Sequence, residues 1–105
     1  MLKQFTDDNF ATEVLAVSQD KPVLVDFFAT WCGPCKMQMP IVEDVAKEIG
    51  ESAVVGALNV ETAEATAQEY GVMSIPTLIV FKAGQPVKTL VGVQTKQTLL
   101  QELKS

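Results

Sequence analysis

Apolar and polar positions along the chain change their period several times, and each change marks an element. Residues 5–18, FTDDNFATEVLAVS, place Phe10, Val14 and Val17 on one face at helical spacing. Thr6 can cap this predicted helix, and Asp7 and Asp8 suit its positive end. After QDKP, residues 23–28 (VLVDFF) are apolar on both faces except for Asp26, the pattern of a central strand covered on both sides. Residues 34–49 return to a helical period, with Met37, Ile41, Val45 and Ile49 on one stripe and Gly50 as a stop. Residues 52–60, SAVVGALNV, predict a second buried strand. Residues 62–71, TAEATAQEYG, predict an Ala-rich helix capped by Thr62 and ended by Gly71. Residues 77–92 predict a hairpin turning near Ala83 to Gln85, followed by a helix from about Thr95 to the end. Strands that alternate with helices and close on a hairpin give an α/β chain with a mixed sheet covered on both faces.

Composition narrows the class. A chain of 105 residues, 48% hydrophobic and 20% charged, is expected to form a single domain over residues 1–105 with one apolar core. Eight Lys, no Arg and thirteen Asp plus Glu leave a net charge of -5. A nucleic-acid partner, which rewards the opposite balance, is not expected. MLKQFTDDNF holds no apolar leader-like core, and no apolar run approaches the roughly 20 residues that span a bilayer. The expectation is a soluble, cytoplasmic protein that makes no use of a membrane.

The chemistry sits in residues 27–40, FFATWCGPCKMQMP, which hold both cysteines and the only tryptophan. Cys32 follows a strand and Cys35 lies in the first turn of the next helix, so a disulfide between them is within reach. As a structural staple such a bond would do little, because closing a loop of four residues restricts the unfolded chain by only roughly 2 kcal/mol. A closed zinc site takes four ligands, mostly Cys and His. With no His and no third Cys, this chain would need a partner to complete one. A protease-like nucleophile lacks its imidazole base for the same reason. Thiol–disulfide exchange fits better. The unpaired N–H groups and the dipole at a helix start favour a thiolate at Cys32, the expected attacker, and Cys35 would resolve the mixed disulfide. Gly33 leaves room for a substrate backbone, and Pro34 removes an N–H that the helix start leaves unpaired anyway.

WCGPCK after a hydrophobic strand resembles the active site of the thioredoxin family. The likeness extends through VLVDFFATWCGPCKM, Pro40, SIPTLIVFKAG and a late VGV, with FTDDNF near the start, and so covers essentially the whole chain. It implies a five-stranded mixed β-sheet flanked by four helices, and a protein disulfide reductase with no bound cofactor or metal. Electrons would come from a thioredoxin reductase and pass to disulfide-containing target proteins, and the chain would act as a monomer. Gly-Pro between the cysteines resembles the reducing members more than the oxidising ones. A dedicated oxidant or isomerase, or a binding module that uses the same surface, are the alternative readings.

The resemblance also implies site residues. Ile75-Pro76 would be a cis peptide whose backbone pairs with an extended substrate. Trp31, Gly33, Pro34, Val72, Met73, Ser74, Ile75, Pro76, Val91, Gly92 and Val93 would form an apolar rim around the cysteines, with core packing the alternative for Val72 and Val91. Pro40 would kink its helix, unless the helix restarts there. Asp26 would lie beneath Cys35 and help move its proton, the alternative being a solvated strand end. Two departures stand out: Ala57, where many relatives carry a lysine close to this aspartate, and Phe28, where a tryptophan is frequent. The first bears on how Asp26 is tuned.

Overall fold

The structure, a computed structural model, describes residues 2–105. Its centre is a five-stranded sheet in the order β1-β3-β2-β4-β5, built from β1 (Lys3–Phe5), β2 (Val23–Phe28), β3 (Val54–Asn59), β4 (Thr77–Lys82) and β5 (Gln85–Val91). Strands β1, β3 and β2 run parallel, and β4 and β5 each run antiparallel to the strand before them in the sheet. Three helices, α1 (Gly33–Ile49), α2 (Glu64–Glu69) and α3 (Lys96–Lys104), cover the sheet together with an N-terminal helical segment, the fourth.

The continuous apolar run at 23–28 is explained by position, since β2 lies between β3 and β4 and is buried on both faces. Successive side chains of a strand point to opposite faces. Leu24 therefore meets the cluster of Val42, Val45 and Ile49 from α1 and Leu99, Leu100 and Leu103 from α3. Val23, Val25 and Phe27 meet Phe10, Val14 and Ala67 on the other side. The hairpin turns where expected: Ala83 and Gly84 both take positive φ (54° and 76°), the pairing that a two-residue connection needs to match the strand twist. Thr95 caps α3 by accepting the Thr98 N–H at 3.1 Å.

The short edge strand β1 has too few residues for a period to show in the sequence. It docks because Gly56 of β3 has no side chain. A Cβ there would stand 2.5 Å from the Phe5 ring and 2.8 Å from the Lys3 carbonyl oxygen.

Three sequence expectations need correction. The buried stripe of α1 is Cys35, Gln38, Val42, Val45 and Ile49, whereas Met37 is exposed and Ile41 only half-buried. The first turn has to bring Cys35 onto the sheet, and that sets the rotation of the whole helix. Secondly, Thr62 does not cap α2, which starts after Ala63 with no side-chain cap of its own residues. The cap comes from Asp7, whose carboxylate accepts both the Thr66 hydroxyl (2.6 Å) and the Thr66 N–H (2.9 Å). Asp7 therefore serves the positive end of α2 as well as following Thr6, and these bonds, the hydroxyl foremost, hold its pKa below the ordinary value.

The third correction concerns the N-terminal segment, which is not a regular helix over 5–18. Thr6 and Asn9 do exchange bonds, Thr6 N–H to Asn9 Oδ1 and Asn9 N–H to Thr6 Oγ1. The chain then makes a wide turn at Ala11–Leu15, with the Ala16 N–H on the Ala11 carbonyl, and a tight one at Val17–Gln19. Buried Ser18 explains the tightening. Its carbonyl accepts the Ala83 N–H and its hydroxyl accepts the Gly84 N–H, so the β4–β5 turn pulls this end of the segment onto itself.

Helix α1 runs as one element through Pro40, so it does not restart there. Among the described residues, no helix is long and apolar enough to cross a membrane.

Candidate redox-active site

The strand-to-helix junction that follows β2 places the cysteines. Cys32 is the N-cap of α1, with extended backbone (φ −85°, ψ 113°), and its Sγ accepts the N–H of Cys35 at 3.2 Å. One of the donors that every helix start leaves unpaired is thus satisfied by sulfur. The two residues form a disulfide across a Cα–Cα distance of 5.3 Å, and both are buried. Gly33 and Pro34 between them are exposed.

Two further segments close on the pair. The Ile75-Pro76 bond is cis, as the resemblance implied, and the Ile75 carbonyl oxygen lies 3.9 Å from Cys32 Sγ. The loop after β5 reaches the same place, with the Gly92 N–H donating to the Pro76 carbonyl at 2.8 Å. Apolar side chains stand out into solvent on these segments and on the cysteine junction itself: Trp31, beside Cys32, is 69% exposed, Met73 95%, and Val91 and Val93 are also exposed. Ser74 is exposed, Ile75 and Gly92 are half-buried and Pro76 is buried. Val72 differs from this set. It is half-buried and packs against the cluster around Phe10 and Phe81, which is the core-packing alternative.

The indole of Trp31 is held by a residue that no sequence pattern singled out. Glu61 accepts the Trp31 Nε1–H at 3.2 Å through one carboxylate oxygen, and the Thr30 hydroxyl (3.2 Å) and N–H (3.4 Å) through the other. Because Trp31 adjoins Cys32 and no other indole adds background, its emission is expected to differ between the oxidised and reduced protein. Superimposable emission spectra of the two forms would contradict this placement.

Asp26 is fully buried, and its two carboxyl oxygens have no hydrogen-bond partner among the described residues. The solvated strand end is therefore excluded. It shares the α1-facing side of β2 with Leu24 and Phe28, and in register it pairs with Ala57 of β3 and Leu78 of β4, both fully buried and apolar. Burial pushes its pKa from 3.8 up to about 7. An apolar hollow of about 210 Å³ also lies against Cys35, lined by Phe28, Ala29, Thr30, Lys36 and Met39.

Sequence reasoning missed Glu61 and Gln38. For Gln38 a signal existed: a helical stripe started from Cys35 instead of Met37 runs through it.

A thioredoxin family model matches residues 1–105. A thioredoxin of Mycobacterium tuberculosis is 56% identical over 98 residues, which cover 93% of this chain and 83% of that protein. A thioredoxin of Alicyclobacillus acidocaldarius is 49% identical over 98 residues, 93% of this chain and 90% of the relative. A bifunctional thioredoxin reductase/thioredoxin of Mycobacterium leprae is 50% identical over 100 residues, 95% of this chain and 21% of that longer protein. The disulfide at the start of α1 and this likeness over nearly the whole length agree: the chain belongs to the thioredoxin family, the oxidoreductases of protein disulfides.

Proposed function

We propose that this chain is a general reductant of protein disulfides and that Cys32 is its nucleophile. The observation that carries the assignment is the place of Cys32 Sγ at the N-cap of α1, accepting the Cys35 N–H. A negative charge on that sulfur is favoured by the hydrogen bond and by the helix dipole. The Cys32 thiolate attacks one sulfur of a target disulfide and forms a mixed disulfide, and the other sulfur leaves as a thiolate that takes a proton. Cys35 then loses its proton and attacks Cys32 Sγ, so the Cys32–Cys35 disulfide forms and the target's second thiol is released. Two electrons have passed to the target. Asp26, buried on the α1 side of the sheet and titrating near neutrality, is the group suited to take the Cys35 proton.

Trp31, Gly33, Pro34, Met73, Ser74, Ile75, Pro76, Val91, Gly92 and Val93 form the groove, in which an extended target segment lies beside the backbone next to Pro76. A thioredoxin reductase restores the dithiol. The relative that joins a thioredoxin reductase and a thioredoxin by name supports this partner. The chain is read as acting as a monomer, as the likeness to the thioredoxin family implies. The sheet with its two covering clusters draws on residues along the whole chain, which supports a single domain. A dithiol that must be kept reduced belongs in a reducing compartment such as the cytoplasm.

With NADPH and a thioredoxin reductase, the protein is expected to reduce insulin disulfides catalytically. In a redox titration against glutathione, its dithiol should be the stronger reductant. A potential as oxidising as about −120 mV would mark a dedicated oxidant instead and overturn the reading.

A further inference from the structure

Gln38 lies in the second turn of α1, three residues beyond Cys35, and is fully buried. A position that needed only filling would suit leucine or methionine, because a buried carboxamide is unfavourable unless its polar atoms are bonded. Here they are. Nε2–H donates to the Gln94 carbonyl at 3.1 Å, and Oε1 accepts the Gln94 N–H at 2.6 Å. The side chain thus pairs with the Gln94 backbone as a neighbouring strand residue would, exchanging both bonds. Gln94 in turn donates its own side-chain N–H groups to the carbonyls of Val91 and Gly92, each at 3.2 Å.

The next link is the Gly92 N–H on the Pro76 carbonyl, and the residue before it, Ile75, has its carbonyl beside Cys32 Sγ. A series of contacts therefore leaves the helix one turn after Cys35, passes through residues 94, 92 and 76, and returns to Cys32. Gln38 is its anchor in the core.

We infer that Gln38 is a positioning residue for polypeptide substrates: through Gln94 it holds the Val91–Val93 segment at a set place beside the disulfide. It touches neither substrate nor sulfur. The inference rests on the groove described under the proposed function. Only a substrate long enough to lie along residues 91–93 senses this support. A small aromatic disulfide, which needs to reach Cys32 alone, does not.

The test compares Gln38→Leu with the unaltered protein on two substrates, insulin and 5,5′-dithiobis(2-nitrobenzoate), after a melting curve shows the variant folded. The expected result is a KM for insulin raised about ten-fold with kcat little changed, and a rate with the small disulfide within about two-fold of the original. A parallel loss on both substrates would show a general structural role and overturn the inference, as would an unchanged insulin KM. If Gln38→Leu does not fold, Gln38→Met, which keeps the length of the side chain and lacks its bonds, takes its place. Failure of both to fold also counts against the inference. If the unaltered protein did not reduce insulin at all, the functional reading itself would fail, which separates the two.

Discussion

Cys32→Ser is expected to lower disulfide reduction by at least about a thousand-fold, since the attacking species is a thiolate and a serine hydroxyl stays protonated at neutral pH. Cys35→Ser should stop the cycle one step later. Cys32 in that variant still attacks, but nothing resolves the mixed disulfide, so substrate accumulates on the protein. Non-reducing electrophoresis and intact-mass measurement distinguish the two: an adduct on Cys35→Ser, none on Cys32→Ser. The asymmetry follows from placement. Cys32 Sγ takes the hydrogen bond at the helix start and sits beside the Ile75 carbonyl at the groove, whereas Cys35 turns toward the sheet with the buried stripe of α1. An adduct that formed on Cys32→Ser and not on Cys35→Ser would reverse the roles.

Asp26→Asn should stabilise the protein at pH 8. The folded pKa of Asp26 is about 7 against an ordinary 3.8, so between those values the folded state holds a proton that the unfolded chain has lost. Stability is therefore lost as pH rises through this window. It is greatest below pH 4, and the full opposition to folding, about 4 kcal/mol, is reached above pH 7. Asparagine carries no charge, yet its amide inherits the same apolar surroundings, so a net gain of about 2 kcal/mol at pH 8 is expected. The sharper readout is the change with pH. The advantage of the variant should grow by roughly 2–3 kcal/mol between pH 5 and pH 8.

The same substitution should slow turnover at neutral pH by about ten-fold or more, because the group proposed to take the Cys35 proton is gone. Urea denaturation at both pH values, with an NMR titration of the Asp26 carboxyl in the unaltered protein, decides the matter. A carboxyl that titrates near 4, with no pH-dependent advantage for the variant, would remove Asp26 from the mechanism. Position 57 offers an internal control, since the register sets it directly beside Asp26. A lysine there should lower the Asp26 pKa by giving the carboxylate a partner, provided its ammonium stays hydrated.

Several features were legible because their causes are local. A strand buried on both faces must be apolar at nearly every position, so VLVDFF announced β2, while the burial of its one carboxylate between Ala57 and Leu78 became definite only with the register of the sheet. Thr95 and the Ala83–Gly84 turn act on their own neighbours and were found where expected. The cysteine pair declared its chemistry because the spacing, the preceding strand and the lack of any histidine left thiol exchange as the best use for it.

What the sequence by itself determined, then, was the order of the elements from β2 onward and the reacting pair, since hydrophobic period, turn chemistry and the reach of one helical turn depend only on nearby residues. Tertiary structure alone decided the pairings between residues far apart in the chain. Asp7 caps α2 across 59 residues, Glu61 holds Trp31 across 30, and Gln38 supports Gln94 across 56. It decided the rotation of α1 as well. Met37 and Gln38 are neighbours that could each have begun a buried stripe, and the polar one is inside because Cys35 must face the sheet and the Gln94 backbone waits there to satisfy its amide. A hydrogen bond between distant residues leaves no period in a sequence, so such contacts can be read only once the chain has folded.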